Sequence, residues 1–292
     1  MSLAVDSGPL HSIAVGSAGP RIAFLHGLFG QGRNWAQIAK ALAGPDGDQA
    51  RCLLIDLPDH GRSPWTPAGD HFSFITYADA VAQTLTAAAG DGGSSTRSDQ
   101  GWTVVGHSLG GKAAMVLALL MPDLIDRLVV ADITPKSYGD LHRFNGYIEK
   151  MRRLPLAAMG PTRGVVEEAF DEADPQVKAF LLQNLRREDG EWRWQVNLDL
   201  IAADADAGAG SAIADFPFRP GDVKPYPGQV LWLVGGDSGY VTQGDEDTMR
   251  AFFPRLRQVR IKGAGHWVHT DAPDVVVAAL RQFLHPPTSP LR

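Results

Sequence analysis

Trp102-Thr103-Val104-Val105-Gly106-His107-Ser108-Leu109-Gly110-Gly111 is the stretch that decides how this chain reads. Its first four residues are aromatic or β-branched and favour a strand, and they run directly into Gly-x-Ser-x-Gly. Lys112-Ala113-Ala114-Met115-Val116-Leu117 follow and favour a helix. Strand, tight turn, helix is the context that gives this pentapeptide a mechanism: the serine sits on a strained turn with its hydroxyl at the top of a sheet. Gly106 and Gly110 are small because side chains there would collide where strand and helix cross. Ser108 is the candidate nucleophile.

Working outward, strands and helices alternate on both sides of this unit. Ile22-Ala23-Phe24-Leu25 and Cys52-Leu53-Leu54-Ile55 are continuous apolar runs, as expected of parallel strands buried on both faces. Helical periodicity covers residues 35–43 and 77–89, and residues 128–131 form a further strand ending at Asp132. Residues 10–15 read as part of a short antiparallel hairpin, and 90–101, rich in Gly, Ser and Asp, as a surface loop. From residue 135 to 227 the rhythm breaks. Helical patterns at 147–154, 165–170 and 177–186 have no strands between them, which reads as a helical insertion. Strands resume at 229–234 and 256–261, and the last helix, 273–284, has Asp271 as its expected N-cap and Pro273 in its first turn. The expected architecture is α/β: a mostly parallel sheet with helices on both faces. It is assembled from 1–134 and 228–292, with 135–227 as a helical cap.

Composition narrows the function. The chain has 292 residues, 44% of them hydrophobic and 21% charged, with a formal net charge of −6. That balance gives no electrostatic footprint for nucleic acid or an anionic membrane. The single cysteine, Cys52, cannot form an internal disulfide and reads as a small buried hydrophobe. Met1-Ser2-Leu3-Ala4-Val5-Asp6 has neither the basic nor the apolar region of a secretory signal. No apolar run reaches the roughly 18 residues needed to span a bilayer. A cytoplasmic enzyme without membrane insertion, monomeric or homodimeric, is the expectation. The scattered histidines form no metal motif, so neither metal nor cofactor is expected.

A serine hydroxyl needs a base, and the base an orienting acid. His266, in Gly263-Ala264-Gly265-His266-Trp267-Val268-His269, lies on a glycine-rich loop after the last strand and is the candidate base. His269 is its competitor, but it leads into a helix. Two carboxylates follow strands in the right order. Asp132 closes the strand after the nucleophile helix, and Asp237 lies in Gly235-Gly236-Asp237-Ser238-Gly239-Tyr240. Asp132 is favoured, with Ser238 as a hydroxyl near the imidazole; Asp237 is the alternative acid or a turn residue bonded to its own backbone. The developing oxyanion needs backbone donors, for which Leu109 and Leu28 are the candidates, Leu28 in His26-Gly27-Leu28-Phe29-Gly30. Asp59-His60-Gly61-Arg62-Ser63 reads as a buttress beneath that loop rather than a second catalytic pair. His107 is expected to pack behind the turn, and Lys112 to act as a structural tie.

With these motifs in place, the chain resembles the α/β-hydrolase superfamily over nearly its full length. It is most similar to YbfF-type bacterial esterases and their mitochondrial relatives, through His26-Gly27-Leu28-Phe29-Gly30, Gly106-His107-Ser108-Leu109-Gly110-Gly111-Lys112, Asp132-Ile133-Thr134-Pro135 and Gly265-His266-Trp267-Val268-His269. The resemblance implies a catalytic set of Ser108, His266, Asp132 and Ser238, a helical cap, and hydrolysis of short- to medium-chain acyl esters or thioesters through an acyl-enzyme. Two motifs depart from the family: Pro58-Asp59-His60-Gly61 stands where the family has Arg-Asn-His-Gly, and Asp237 replaces an asparagine, which reopens the choice of acid. The same scaffold also hosts carbon–carbon bond and lactone hydrolysis, acyl transfer, and non-catalytic binding of small molecules, because fold alone does not fix the reaction.

Overall fold

The computed structural model describes residues 9–89 and 101–285. In chain order the elements are β1 (Ser12–Val15), β2 (Arg21–Leu25), α1 (Ala36–Ala43), β3 (Arg51–Ile55), α2 (Phe74–Ala89), β4 (Trp102–His107), α3 (Leu109–Leu120) and β5 (Ile125–Ala131). A long excursion follows through α4 (His142–Arg153), α5 (Arg163–Ala169), α6 (Pro175–Leu182), β6 (Leu185–Glu188), β7 (Glu191–Trp194) and α7 (Leu198–Asp206). The chain then returns with β8 (Gln229–Gly235), α8 (Glu246–Phe252), β9 (Leu256–Ile261), α9 (Val268–Asp271) and α10 (Pro273–Leu284). Seven strands make one sheet in the order β1-β3-β2-β4-β5-β8-β9, parallel throughout except for β1.

Side chains alternate along each strand, and the alternation sorts the core into two layers. Ile22, Phe24, Cys52, Leu54, Leu231 and Leu233 pack with Trp35 and Ile38, which flank and lie on α1, and with Val276 and Leu280 of α10. Ala23, Leu25, Leu53, Ile55, Val230 and Trp232 point the other way, toward Tyr77 and Leu85 of α2, Met115 of α3 and Phe252 of α8. Both faces are covered, so β2, β3, β4, β5 and β8 are almost wholly buried. Chain order reverses around β2: β3 lies on one side and β4 on the other. Ligands in open α/β sheets bind in the crevice that such a reversal opens beyond the strands' carboxyl ends.

Four expectations need correction or lie outside the described residues. β1 forms no hairpin with β2; it pairs antiparallel with β3, as Ser12 with Ile55 through Val15 with Cys52. β2 is needed between β3 and β4, so the partly exposed β1 takes the edge. The excursion is not purely helical. α6 stops at Leu182, and β6 and β7 form an antiparallel pair closed by Asp189-Gly190, both at positive φ (51° and 88°). An Asp-Gly pair in that conformation is the primed turn that matches strand twist, and it overrides the helical periodicity read through 186. Asp271 does not cap α10, whose preceding residue is Ala272; its Oδ2 instead accepts the Gly265 N–H at 2.8 Å. The expected loop at 90–101 lies, apart from Gly101, outside the described residues.

The crossing of β4 and α3 has no slack. A Cβ on Gly106 would lie 2.3 Å from Gly110 O and 2.8 Å from Gly111 Cα, distances that only backbone movement could relieve. Gly106→Ala is expected to cost about 3 kcal/mol of stability, the upper range for overpacking a rigid core. Urea unfolding followed by circular dichroism measures it, and an unchanged midpoint would contradict this account of the crossing.

Candidate active site

Four neighbouring strands, β2, β4, β5 and β8, end along the same carboxyl edge, and each delivers one part of the site. β4 ends at His107 and α3 begins at Leu109, so Ser108 alone makes the turn, at φ 51° and ψ −117°. L-residues avoid that region, and such strain persists only where surrounding structure fixes it. Here the Ser108 N–H donates to Ala131 O at 3.1 Å and the Ser108 O accepts from Lys112 N–H at 3.0 Å. β5 delivers Asp132, fully buried and also at positive φ, its N–H donating to Leu233 O at 2.8 Å.

The structure brings His266, Asp132 and Ser238 together. His266 Nδ1–H donates to Asp132 Oδ2 at 2.8 Å, and the Ser238 hydroxyl donates to the same oxygen. Asp132 Oδ1 accepts the Gly235 N–H at 2.9 Å, so a buried carboxylate has donors on both oxygens. With the proton on Nδ1, the imidazole leaves Nε2 as a free lone pair. Asp237 is exposed on the turn after β8, its N–H donating to Ala264 O at 3.0 Å, and His266 is bonded to Asp132 instead. His269 lies in the layer behind, stacked on Trp35 with ring centroids 4.4 Å apart.

Beside Ser108 runs the loop after β2. Gly110 N–H donates to His26 O at 3.0 Å, binding the loop to the first turn of α3, and a Cβ on Gly27 would come within 3.3 Å of Ser108 Cβ. Gly27 O accepts from His26 Nδ1–H at 2.8 Å and from Gly30 N–H at 2.9 Å. Neither the Leu28 nor the Leu109 N–H has a hydrogen-bond partner among the described residues, although both residues are buried. Two unpartnered backbone donors flank the serine, which is the provision an oxyanion needs.

Buried neutral imidazoles brace this geometry. His26 Nε2 accepts Leu57 N–H at 2.9 Å, and His60 Nε2 accepts Phe29 N–H at 3.3 Å while its Nδ1–H donates to Pro58 O. His107 Nε2–H donates to His266 O at 2.9 Å, fixing the backbone of the His266 loop from behind. Asp59, fully buried, gathers Thr66 N–H and hydroxyl, Tyr77 hydroxyl and Asn197 Nδ2–H around its carboxylate. Lys112 donates to the carbonyls of Ile213, Ala214 and Asp215, at 3.4, 2.7 and 2.6 Å, and burial pushes its pKa down to about 7.

Sequence reasoning passed over Tyr240, whose ring stacks on His266 with centroids 3.8 Å apart and planes 15° from parallel. Its only signal was an aromatic residue two positions beyond Ser238. Tyr138, whose hydroxyl donates to Tyr240 O at 2.8 Å, had no signal of its own. Two small cavities meet at Leu28 and Phe144: about 150 Å³ bordered by Ile133, Tyr138 and Tyr240, and about 40 Å³ bordered by His266, Phe180 and Trp267. A wider open cleft of about 870 Å³ lies between Gly61–Trp65 and β7, and none of Ser108, Asp132 or His266 lines it.

A mostly parallel sheet with a serine on a strained strand-to-helix turn, and an imidazole paired with a carboxylate at the same edge, defines an α/β-hydrolase. The chain belongs to the alpha/beta hydrolase family, whose sequence pattern matches residues 22–279. Among its relatives is the sn-1-specific diacylglycerol lipase ABHD11 of Mus musculus, 33% identical over 270 residues, which span 91% of this chain and 81% of that protein. Esterase YbfF of Escherichia coli (strain K12) is 30% identical over 277 residues, 90% of this chain and 92% of the esterase. A solved structure described as a marine microorganism esterase superposes with a TM-score of 0.81 at 28% identity, covering 95% of this chain and all of the other. Among the described residues no helix is long and apolar enough to cross a membrane.

The buried histidines give stability a pH signature. Burial holds His26 down at about 3 and His269 at about 4, whereas an unfolded histidine titrates near 6.5. Between those values the unfolded chain binds protons that the folded chain does not, so stability falls as pH falls below about 6.5. The slope is about 1.4 kcal/mol per pH unit for each such histidine. Urea midpoints are expected to drop between pH 7 and 5, and to drop less in His269→Phe, which keeps the stack on Trp35. Equal drops in the two proteins would remove His269 from the account.

Proposed function

We propose that this protein is a serine esterase that cleaves carboxylic esters of short to medium acyl chain, and related thioesters, through an acyl-enzyme. The observation that carries the reading is the His266–Asp132 hydrogen bond at the same sheet edge as the strained Ser108. In this reading Ser108 Oγ attacks the acyl carbon while His266 Nε2 takes its proton. Asp132 holds the Nδ1 tautomer and stabilises the imidazolium that results, with Ser238 orienting the carboxylate. The Leu28 and Leu109 N–H groups receive the oxyanion. The protonated imidazole then gives its proton to the departing alcohol or thiol, and water, activated by the same nitrogen, releases the acid. Relatives named as esterases and as a diacylglycerol lipase support ester hydrolysis as the reaction class.

Residues 135–227 act as a cap over a hydrolase core of 1–134 and 228–292. Support comes from Phe144, Phe180 and Leu181 of that segment, which border the cavities beside Leu28 and His266. The small size of these cavities favours short acyl groups. A cytoplasmic setting accords with a single cysteine that is buried and unpaired, its thiol pushed up to about 12 by burial.

Ser108→Ala is expected to abolish hydrolysis of p-nitrophenyl butyrate and labelling by a fluorophosphonate, and undiminished labelling would sink the proposal. Asp132→Asn should lower kcat by about 10³- to 10⁴-fold, as loss of an orienting acid does elsewhere, with Asp237→Asn within about threefold of the parent. Steady-state kinetics on a series of p-nitrophenyl esters would show both effects, and the reverse ranking would move the acid to Asp237.

A further inference from the structure

Phe29 stands in an unusual conformation for its type. The Gly30 N–H donates to Gly27 O, closing a four-residue turn whose third residue, Phe29, has φ 60°. Positive φ at that position is the type II pattern, which favours glycine; a bulky L side chain prefers type I, in which the central peptide is rotated by half a turn. Something outside the turn must therefore hold it, and both backbone groups of Phe29 are held. Its N–H is accepted by His60 Nε2. Its carbonyl accepts Asn184 Nδ2–H at 2.8 Å and Gln183 Nε2–H at 3.3 Å. Asn184 is fully buried at the bend between α6 and β6, and its Oδ1 accepts Gln31 Nε2–H at 3.1 Å. The side chain is thus locked from both ends, and it comes from the excursion after β5 rather than from the sheet that carries Ser108.

We propose that Asn184 is a positioning residue for the oxyanion hole: by holding Phe29 O it keeps the Gly27–Gly30 turn in the form that presents the Leu28 N–H beside Ser108. The proposal rests on the reading of Leu28 as an oxyanion donor. In a trans peptide the N–H and C=O point in opposite directions, so the bonds that anchor Gly27 O aim the Leu28 N–H away from them. Phe29 O and the Gly30 N–H belong to one peptide, and that N–H bonds Gly27 O, so holding Phe29 O holds the bond that fixes the peptide carrying the Leu28 N–H. The excursion therefore completes the hole as well as bordering the cavities. A cap that lifted away would take Asn184 with it and leave the turn free to relax.

The experiment compares Asn184→Ala, Gln31→Ala and Ser108→Ala with the parent full-length chain. kcat and KM are measured on p-nitrophenyl butyrate, together with inhibition by an alkyl trifluoromethyl ketone, whose serine adduct places an oxyanion in the hole. For Asn184→Ala, kcat is expected to fall about 10- to 100-fold, less than the 10²–10³ of losing a donor outright, with KM within about threefold. Affinity for the ketone should fall by the same factor as kcat/KM. Gln31→Ala leaves Nδ2 in place but frees the other end of the amide, and should give the same pattern at about a tenth of the size. If Asn184→Ala does not fold, Gln31→Ala decides by the same criteria. Unchanged kcat, a loss confined to KM, or ketone affinity that does not follow kcat/KM would overturn the proposal. Ser108→Ala separates the two claims: residual turnover there breaks the esterase reading, whereas an inactive Ser108→Ala beside a fully active Asn184→Ala breaks only the role of Asn184.

Discussion

Everything at this site depends on a backbone forced into a region that L-residues avoid. Ser108, Asp132, Phe29 and Asp59 all have positive φ, and among the described residues the only other non-glycine to do so is Asp189, in the β6–β7 turn. Each such residue costs of order 1–3 kcal/mol and persists only where its neighbours leave no alternative. Here the sheet supplies that constraint. β4 and β5 are buried on both faces and bonded on both edges, so the chain leaves them at fixed points and in fixed directions. Ser108 and Asp132 are carried by that rigidity, while Phe29 and Asp59, on loops, are held by side-chain hydrogen bonds. The strain and its restraint have one result: Ser108 and Asp132 hold fixed places at the sheet edge.

Burial separates three of the histidines from His266. His26, His60 and His107 are wholly enclosed, and burial lowers the affinity of each for a second proton. A neutral imidazole donates from one nitrogen and accepts at the other, so His26 and His60 can bridge a carbonyl and an N–H of two backbone segments. Lysine or glutamine could not make the same link in so dry a space without an unsatisfied atom or an extra charge. His266 differs in its partner: Asp132 takes its Nδ1–H and leaves Nε2 available.

The excursion after β5 is joined to the sheet edge by buried polar links as well as by apolar packing. Lys112 reaches the carbonyls of residues 213–215, Asp59 receives Asn197, and Phe29 O receives Asn184. Each link ends on a residue next to the nucleophile turn or the loop that faces it. Buried hydrogen bonds of this kind cost heavily when one partner is removed, because the other is left unsatisfied. They tie the segment that borders the two cavities to the turn at Ser108 and the loop after β2, so the shape of the one and the geometry of the other are not independent.

Local sequence was enough for most of the sheet and for the turn at Ser108 and the loop of His266. Short continuous apolar runs, broken by glycine and proline, marked β2, β3, β4, β5 and β8, because a strand buried on both faces needs apolar side chains on each. The Ser108 turn was legible because a strained turn needs glycines around it, and the His266 loop because glycines follow the last strand. The β6–β7 pair has a local signal in Asp189-Gly190, but the apolar spacing through residue 186 fits a helix as well, and turn chemistry decides between them. Two matters lay beyond local sequence. Asp132 and Asp237 both follow strands, and what brought one carboxylate to His266 and left the other in solvent was the pairing of β5 with β8 and the path of the turn between β8 and Tyr240. Asn184 is 155 positions from Phe29 and carries no motif. A single buried amide takes its role from what lies opposite it, and only the folded chain decides that.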